Sequence, residues 1–139
     1  MSEIEEKVAL LQQLQREFEV LQRRIVELEL LANEYRRAIS TLEFLKSSEN
    51  VVNALITFGG GVFGYAEIKE SKKFLVDVGS GVVIEKSVDE TLNFVKRKLD
   101  EVEKASAEAT NALRSVALQA NKVQQELTEL SRKEREKEK

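Results

Sequence analysis

The chain carries two long stretches in which apolar residues recur at alternating steps of three and four. The first has one series at Ile4, Leu11, Phe18, Ile25, Ala32 and Ile39 and another at Leu14, Leu21, Leu28, Tyr35 and Leu42. The second has Leu92, Leu99, Ser106, Leu113, Ala120 and Leu127 alternating with Val95, Val102, Ala109, Val116, Val123 and Leu130. Each repeat continues for roughly six heptads, which is typical of a coiled-coil seam. The chain has no proline, so long uninterrupted helices are possible.

The equal length of the two stretches predicts that they fold back on each other as an antiparallel pair. Reverse-order pairing places large side chains opposite small ones, as with Leu14 and Ala120, and this fills a narrow core efficiently. Each arm is then about 60 Å long. Lys7 is the one outright polar break in the first seam. Opposite Leu127, it either loosens the last layers or extends its ammonium group to solvent.

Capping signals agree with these limits. Ser2-x-x-Glu5 and Ser87-x-x-Glu90 both have the spacing of a capping box, in which side chains satisfy the free amides of a first helical turn. The final charged residues lack apolar positions and predict a solvated end. The expected organisation is a coiled-coil helix over 1–46, two β-hairpins over 47–87, a coiled-coil helix over 88–132 and a charged disordered tail over 133–139.

The segment between the arms has a different pattern, rich in β-branched and aromatic residues. The runs "NALITF", "VFGYAEIK", "KFLVDV" and "VVIEK" are separated by "GGG", "ESK" and "GSG", which are turn signals. They predict two β-hairpins and an α+β fold. Four short strands bury little surface alone and leave open edges, so we expect oligomerisation through this segment. The residues expected to carry it are Leu55, Ile56, Phe58, Phe63, Tyr65, Phe74, Val76, Val78, Val82 and Ile84.

The glycines Gly59-x-Gly61-x-x-Gly64 have the letter pattern of a dinucleotide-phosphate loop. That loop requires a helix after the glycines, because the helix amino terminus holds the anion. Here another strand follows, and Asp77, at about the spacing of a ribose-binding acid, lies inside a strand. We therefore expect a hairpin turn that needs positive φ, with Gly64 relieving a crowded bend.

Composition narrows the functional classes further. The absence of cysteine and histidine excludes disulfides, thiolate metal sites and histidine-based catalysis, so neither an enzyme nor a bound cofactor is expected. The net charge of −3, with both signs interleaved, does not favour nucleic-acid binding. No apolar run approaches the roughly 18 residues of a membrane span. The acidic start "MSEIEEK" is unlike a secretion signal, so we expect a cytoplasmic protein.

Two segments resemble a known family. "FLVDVGSGVVIEKSVDETLNFVKRKLDEVEK", residues 74–104, closely resembles the α-class subunits of archaeal-type prefoldin, and "NALITFGGGVFGYAEI" resembles their first hairpin, with Thr57 where the family often has proline. The resemblance implies an ATP-independent co-chaperone in which two α-class and four β-class subunits join their hairpins into a double β-barrel. The tips of its six coiled-coil arms would hold unfolded polypeptides and pass them to a group II chaperonin.

The predicted hairpin layout places both chain ends at the free end of the arm, where captured polypeptide would bind. The apolar residues expected there are Val8, Leu10, Leu11, Leu14, Val123, Leu127 and Leu130. Exposed apolar surface suits non-specific capture, with several arms supplying avidity. Alternatively, these residues only pack against the opposite helix. A structural spacer or filament-forming paralogue that binds no client, and a coiled-coil finger that binds nucleic acid, are the competing functional hypotheses.

Overall fold

A computed structural model describes residues 2–138 and shows a helix, two β-hairpins and a second helix, as predicted. The elements are α1 (Glu3–Ser47), β1 (Val52–Gly59), β2 (Val62–Ile68), β3 (Lys73–Gly79), β4 (Val82–Ser87) and α2 (Val88–Glu138). Strand β1 pairs antiparallel with β2, and β3 pairs antiparallel with β4. The described chain divides into two compact units, one formed by residues 2–31 with 102–138 and the other by residues 32–101.

The first unit is an antiparallel pair formed by the start of α1 and the end of α2. Its buried core consists of Leu14, Val116, Val123 and Leu127, with Ile4, Leu11, Phe18, Leu21 and Ala120 packed against it. Every one of these residues belongs to one of the two heptad seams. Both members of the predicted layer Leu14 with Ala120 belong to this core, so the reverse-order pairing is confirmed there.

The second unit joins the other ends of the helices to the second hairpin. Leu42, Val88, Leu92 and Val95 form its buried core, and Tyr35, Ala38, Ile39, Phe74 and Phe94 pack against them. Phe74 lies on β3 and brings that hairpin onto the helices. Lys72 adds two links: its ammonium group donates to the Lys46 carbonyl at 2.9 Å, and its own carbonyl accepts from the Val88 amide at 2.9 Å.

The glycine cluster forms a hairpin turn, as predicted. Gly60 and Gly61 occupy the turn with φ of 58° and 80°, a region that side chains disfavour. Gly64 lies in β2 instead, and a Cβ there would overlap the ring of Phe58. The crowding that Gly64 relieves therefore comes from a cross-strand aromatic ring. The residues after these glycines form a strand, so the phosphate-loop geometry is absent from this segment.

The second hairpin repeats the same turn design with different residues. Ser80 and Gly81 have positive φ, and the strand register shifts between Asp77 and Gly79. The Asp77 carboxylate accepts a hydrogen bond from the Gly79 amide at 2.9 Å. In the first hairpin the Thr57 hydroxyl accepts from the Gly59 amide at 3.2 Å in the same way. Asp77 therefore stabilises a turn and is not placed as a ribose-binding acid.

The end of α2 corrects one prediction. The sequence predicted a charged disordered tail over 133–139, but residues 133–138 continue the helix to Glu138, and Lys139 lies outside the described residues. Arg132 donates to Glu129 at 2.6 Å and to Glu136 at 3.0 Å. Such pairs, three and four residues apart, stabilise a helix without any apolar contact. Alternating charges therefore support a solvated helix here.

The start of α2 is fixed by a complete capping box. The Ser87 hydroxyl accepts from the Glu90 amide at 3.1 Å, and the Glu90 carboxylate accepts from the Ser87 amide at 3.2 Å. The hydrogen bonds from Ser87, that of its backbone amide first, hold the pKa of Glu90 below its ordinary value. At the start of α1, the Ser2 hydroxyl accepts from the Glu5 amide at 3.2 Å.

Loss of the cap at α2 should reduce stability measurably. Ser87→Ala leaves the Glu90 amide without its acceptor, and we expect the free energy of unfolding in urea to fall by about 1 kcal/mol. Ser115→Ala is the matched control, because Ser115 lies inside α2, where alanine is a better helix former. Equal destabilisation by the two substitutions would contradict a capping role for Ser87.

Candidate binding surfaces

The predicted client-binding residues all lie in the first unit, but they differ in exposure. Val8 and Leu10 are exposed at 40% and 43% of their surface, and Leu11 and Leu130 are half-buried. Leu14, Val123 and Leu127 retain only 5%, 7% and 8% and belong to the buried core. Val8 and Leu10 are exposed because they flank the seam, whereas the other five are seam residues. While the helices are paired, only the flanking and half-buried residues are accessible.

The residues around the last layers form an open crevice lined by two apolar and six polar or charged residues. Its volume is about 450 Å³. The two apolar residues are Ile4 and Leu130, and the polar or charged ones are Ser2, Glu3, Lys133, Glu134, Glu136 and Lys137. Charged side chains keep such a crevice hydrated beside its apolar residues. The crevice lies in the same unit as Val8 and Leu10, although neither of these residues lines it.

Lys7 lies in the seam of this unit and reaches across to the other helix. Its ammonium nitrogen is 2.5 Å from the Glu126 carboxylate, and the two side chains keep 25% and 38% of their exposure. The hydrogen bond raises the pKa of Lys7, and the same bond lowers the pKa of Glu126. Of the two predicted behaviours of Lys7, the structure shows the extended ammonium group, with a carboxylate as its partner.

The first hairpin exposes apolar residues on both of its faces. Leu55, Phe63 and Tyr65 share one face by strand register, and Ile56 lies on the other face with Phe58 near Gly64. All five are exposed, and Tyr65 retains 96% of its surface. None of them belongs to the buried cores of the described residues. A strand pair with apolar residues on both faces requires cover that residues 2–138 do not supply.

The second hairpin is covered on one face along β3, while the apolar residues of β4 remain exposed. Val76 is buried, and Phe74 and Val78 are half-buried on the face directed to the helices. Val82 and Ile84, which were predicted with them for assembly, remain exposed. Val83 is also exposed, on the other face, and the sequence did not single it out because the run "VVI" shows no alternation.

Among residues 2–138, no helix combines the length and the apolar character that crossing a bilayer requires.

Two long helices paired along heptad seams, with two apolar hairpins between them in the chain, define a class of coiled-coil proteins with a β-hairpin segment. The family model "Prefoldin subunit" matches residues 4–133. The chain therefore belongs to the prefoldin family, whose members are non-enzymatic chaperone subunits, and it is of the archaeal α type.

Individual relatives support this assignment. The chain is 50% identical over 132 residues to prefoldin subunit alpha of Archaeoglobus fulgidus, covering 95% of this chain and 96% of the relative. It is 32% identical over 106 residues to prefoldin subunit alpha of Thermofilum pendens, covering 76% and 82%. Among solved structures, it is similar to a chain in the cryo-EM structure of filamentous PFD from Methanocaldococcus jannaschii, with a TM-score of 0.69, 16% identity and coverage of 83% and 95%. At that identity the likeness concerns the fold.

Proposed function

We propose that this chain is the α-class subunit of a cytoplasmic prefoldin hexamer with two α-class and four β-class subunits. The hexamer captures unfolded polypeptides at the ends of its coiled coils without ATP and delivers them to a group II chaperonin. The observation that carries the proposal is the 50% identity to an archaeal prefoldin subunit alpha over 95% of this chain. Delivery to the chaperonin is proposed from membership of the family.

Assembly through the hairpins is supported by their exposed apolar residues. The first hairpin carries Leu55 and Tyr65 on one face and Ile56 on the other, all exposed. Both hairpins also have edges with free backbone amides and carbonyls, since each is only two-stranded. Hairpins of β-class subunits supply neighbouring strands for the free edges and an apolar surface that covers the exposed side chains. The predicted assembly residues thus act as a group, with the first hairpin contributing most of the exposed area.

Client capture at the helix ends is supported by the accessible apolar surface there. Val8 and Leu10 are exposed, and Leu11 and Leu130 are half-buried beside them. These side chains are apolar and make no directional polar contacts. They therefore bind any apolar segment of an unfolded chain, but only weakly. Six such ends in one particle convert weak contacts into useful avidity. Leu14, Val123 and Leu127 join this surface only when the two helices separate.

Substituting the two exposed residues at the helix end tests the capture surface directly. In the assembled complex, Val8→Ser with Leu10→Ser is expected to reduce suppression of client aggregation at least about threefold, since it removes the two large apolar side chains that are exposed there. Light scattering of a denatured client at several chaperone ratios measures this. Val20→Ser with Leu30→Ser is the matched control, because the same residue types are more exposed farther along α1. Equal loss in both variants would count against capture at the helix ends.

A structural or filament-forming role without client transfer is the second candidate. The likeness to the chain of a filamentous PFD structure, 95% of which is covered, favours it specifically. Native mass measurement of the chain alone, and after mixing with a candidate β-class subunit, distinguishes the two. A long homopolymer that ignores the β-class partner and does not suppress aggregation would support the filament; a heterohexamer supports the chaperone subunit.

A further inference from the structure

The pair formed by Lys7 and Glu126 occupies an unusual place for an ion pair. Lys7 stands at a seam position of α1, where the neighbouring repeats carry Leu14 and Leu21. Its side chain is three-quarters covered. A lysine in that position destabilises the helix pair unless its ammonium group finds a compensating charge, because partial burial disfavours the charged form. The Glu126 carboxylate, on the facing helix, supplies that charge at 2.5 Å.

The residues around this pair connect it to the apolar core. Leu127, the next residue after Glu126, is buried, and it shares one core with Leu14 and Val123. We propose that Lys7 and Glu126 form an ionic latch, which holds the ends of the two helices together and keeps Leu14, Val123 and Leu127 covered. Breaking the latch unmasks these three residues. The inference rests on the proposed capture of clients at this end of the helices and adds how its surface is regulated.

Ionic strength, rather than pH, is the lever that fits this latch. Glu3 and Glu6 on α1 favour the charged form of Lys7, and Lys122 on α2 favours the charged form of Glu126. With the pKa of Glu126 lowered, its contribution is lost only as pH falls through that lowered value. With the pKa of Lys7 raised, its contribution is lost only as pH rises through that raised value. Across neutral pH both groups stay charged, whereas salt screens a partly exposed pair.

Charged segments of a client can open the latch as well. A lysine or arginine of an unfolded chain competes for Glu126, and an aspartate or glutamate competes for Lys7. Either contact frees one member of the pair and leaves Lys7 without its partner in the seam. An unfolded polypeptide that carries charges beside apolar residues would therefore expose Leu14, Val123 and Leu127 as it binds.

Amide hydrogen exchange of the client-free, full-length chain tests the latch. Glu126→Gln is expected to accelerate exchange at the Val123 and Leu127 amides about fivefold at low salt. Raising sodium chloride from about 0.05 M to about 1 M, which shortens the screening length, is expected to accelerate the same amides in the unmodified chain and to leave the variant unchanged. Glu129→Gln is the matched control, since Glu129 pairs only with Arg132 on its own helix in the ion pairs seen here.

A second variant separates the latch from a general loss of helix stability. In Lys7→Met with Glu126→Gln, an apolar side chain fills the seam position, and exchange is expected to return to the original rate or below and to lose its salt dependence. Unchanged exchange in Glu126→Gln, or equal acceleration in Glu129→Gln, would overturn the latch. Because no client is present, this failure is distinct from failure of the capture proposal, which aggregation assays with the Val8 and Leu10 variant measure.

Discussion

Leu55→Asp is expected to abolish assembly while leaving the helices folded. Leu55 lies on β1 opposite Tyr65, and 62% of its surface is exposed in the single chain. In the proposed complex that surface is covered by another subunit, where a carboxylate without a partner is very costly. We expect the affinity between subunits to fall at least about 100-fold, which native mass spectrometry and sedimentation detect as loss of the hexamer.

The control for this experiment comes from the helix. Leu30 on α1 has 63% of its surface exposed, nearly the same as Leu55, and belongs to neither predicted set. Leu30→Asp should leave the hexamer intact. Aspartate is also unfavourable in a strand, so Leu55→Thr, which keeps β propensity, serves as a milder companion and should weaken assembly in the same direction. If both Leu55 variants assemble normally, the hairpin interface is wrong.

Removal of both helix ends is expected to eliminate client protection. Deleting residues 1–10 and 125–139 removes Val8 and Leu10 from α1 and Leu127 and Leu130 from α2, while the hairpins stay complete. The shortened complex should have the expected hexameric mass and should suppress aggregation no better than an inert protein. Light scattering with two chemically different denatured clients checks the result, because non-specific capture predicts the same loss for both.

A shorter deletion gives the control for this truncation. Removing residues 133–139 takes away charged residues only and keeps Leu130. Client protection should therefore persist, apart from a modest fall in solubility. Full protection by the long deletion would exclude the helix ends as the capture surface, and loss of protection in the short deletion would move the site to the charged end of α2.

The helices were predictable because a heptad seam encodes both the face and the axial pairing of a helix. Leu14 and Ala120 come together in one core as the reverse-order pairing required. The turn glycines were equally clear, since positive φ at Gly60 and Gly61 follows from turn chemistry. Local rules acting over a few residues, repeated many times, thus account for most of the fold.

Features that depend on tertiary contacts or on competing local terms were harder to predict. The helical state of residues 133–138 depends on ion pairs that each contribute little free energy. Composition alone does not show whether this contribution exceeds the tendency of a helix end to fray. The pairing of Lys7 with Glu126 depends on a side-chain conformation that the heptad pattern leaves open. The covering of Val76, set against the exposure of Val83, depends on which face of the hairpin meets the helices. Client capture and assembly remain predictions of the proposed function.

The antiparallel layout also has a consequence for how the chain folds. Leu42 and Leu92 are less than half as far apart along the sequence as Leu14 and Leu127, although each pair shares a buried core. Closing the shorter loop costs less chain entropy, so the core beside the hairpins should nucleate first and pairing should propagate toward the termini. The seam layers nearest the termini pair last and have the fewest neighbouring layers. Thermal fraying is therefore expected to begin with those same layers.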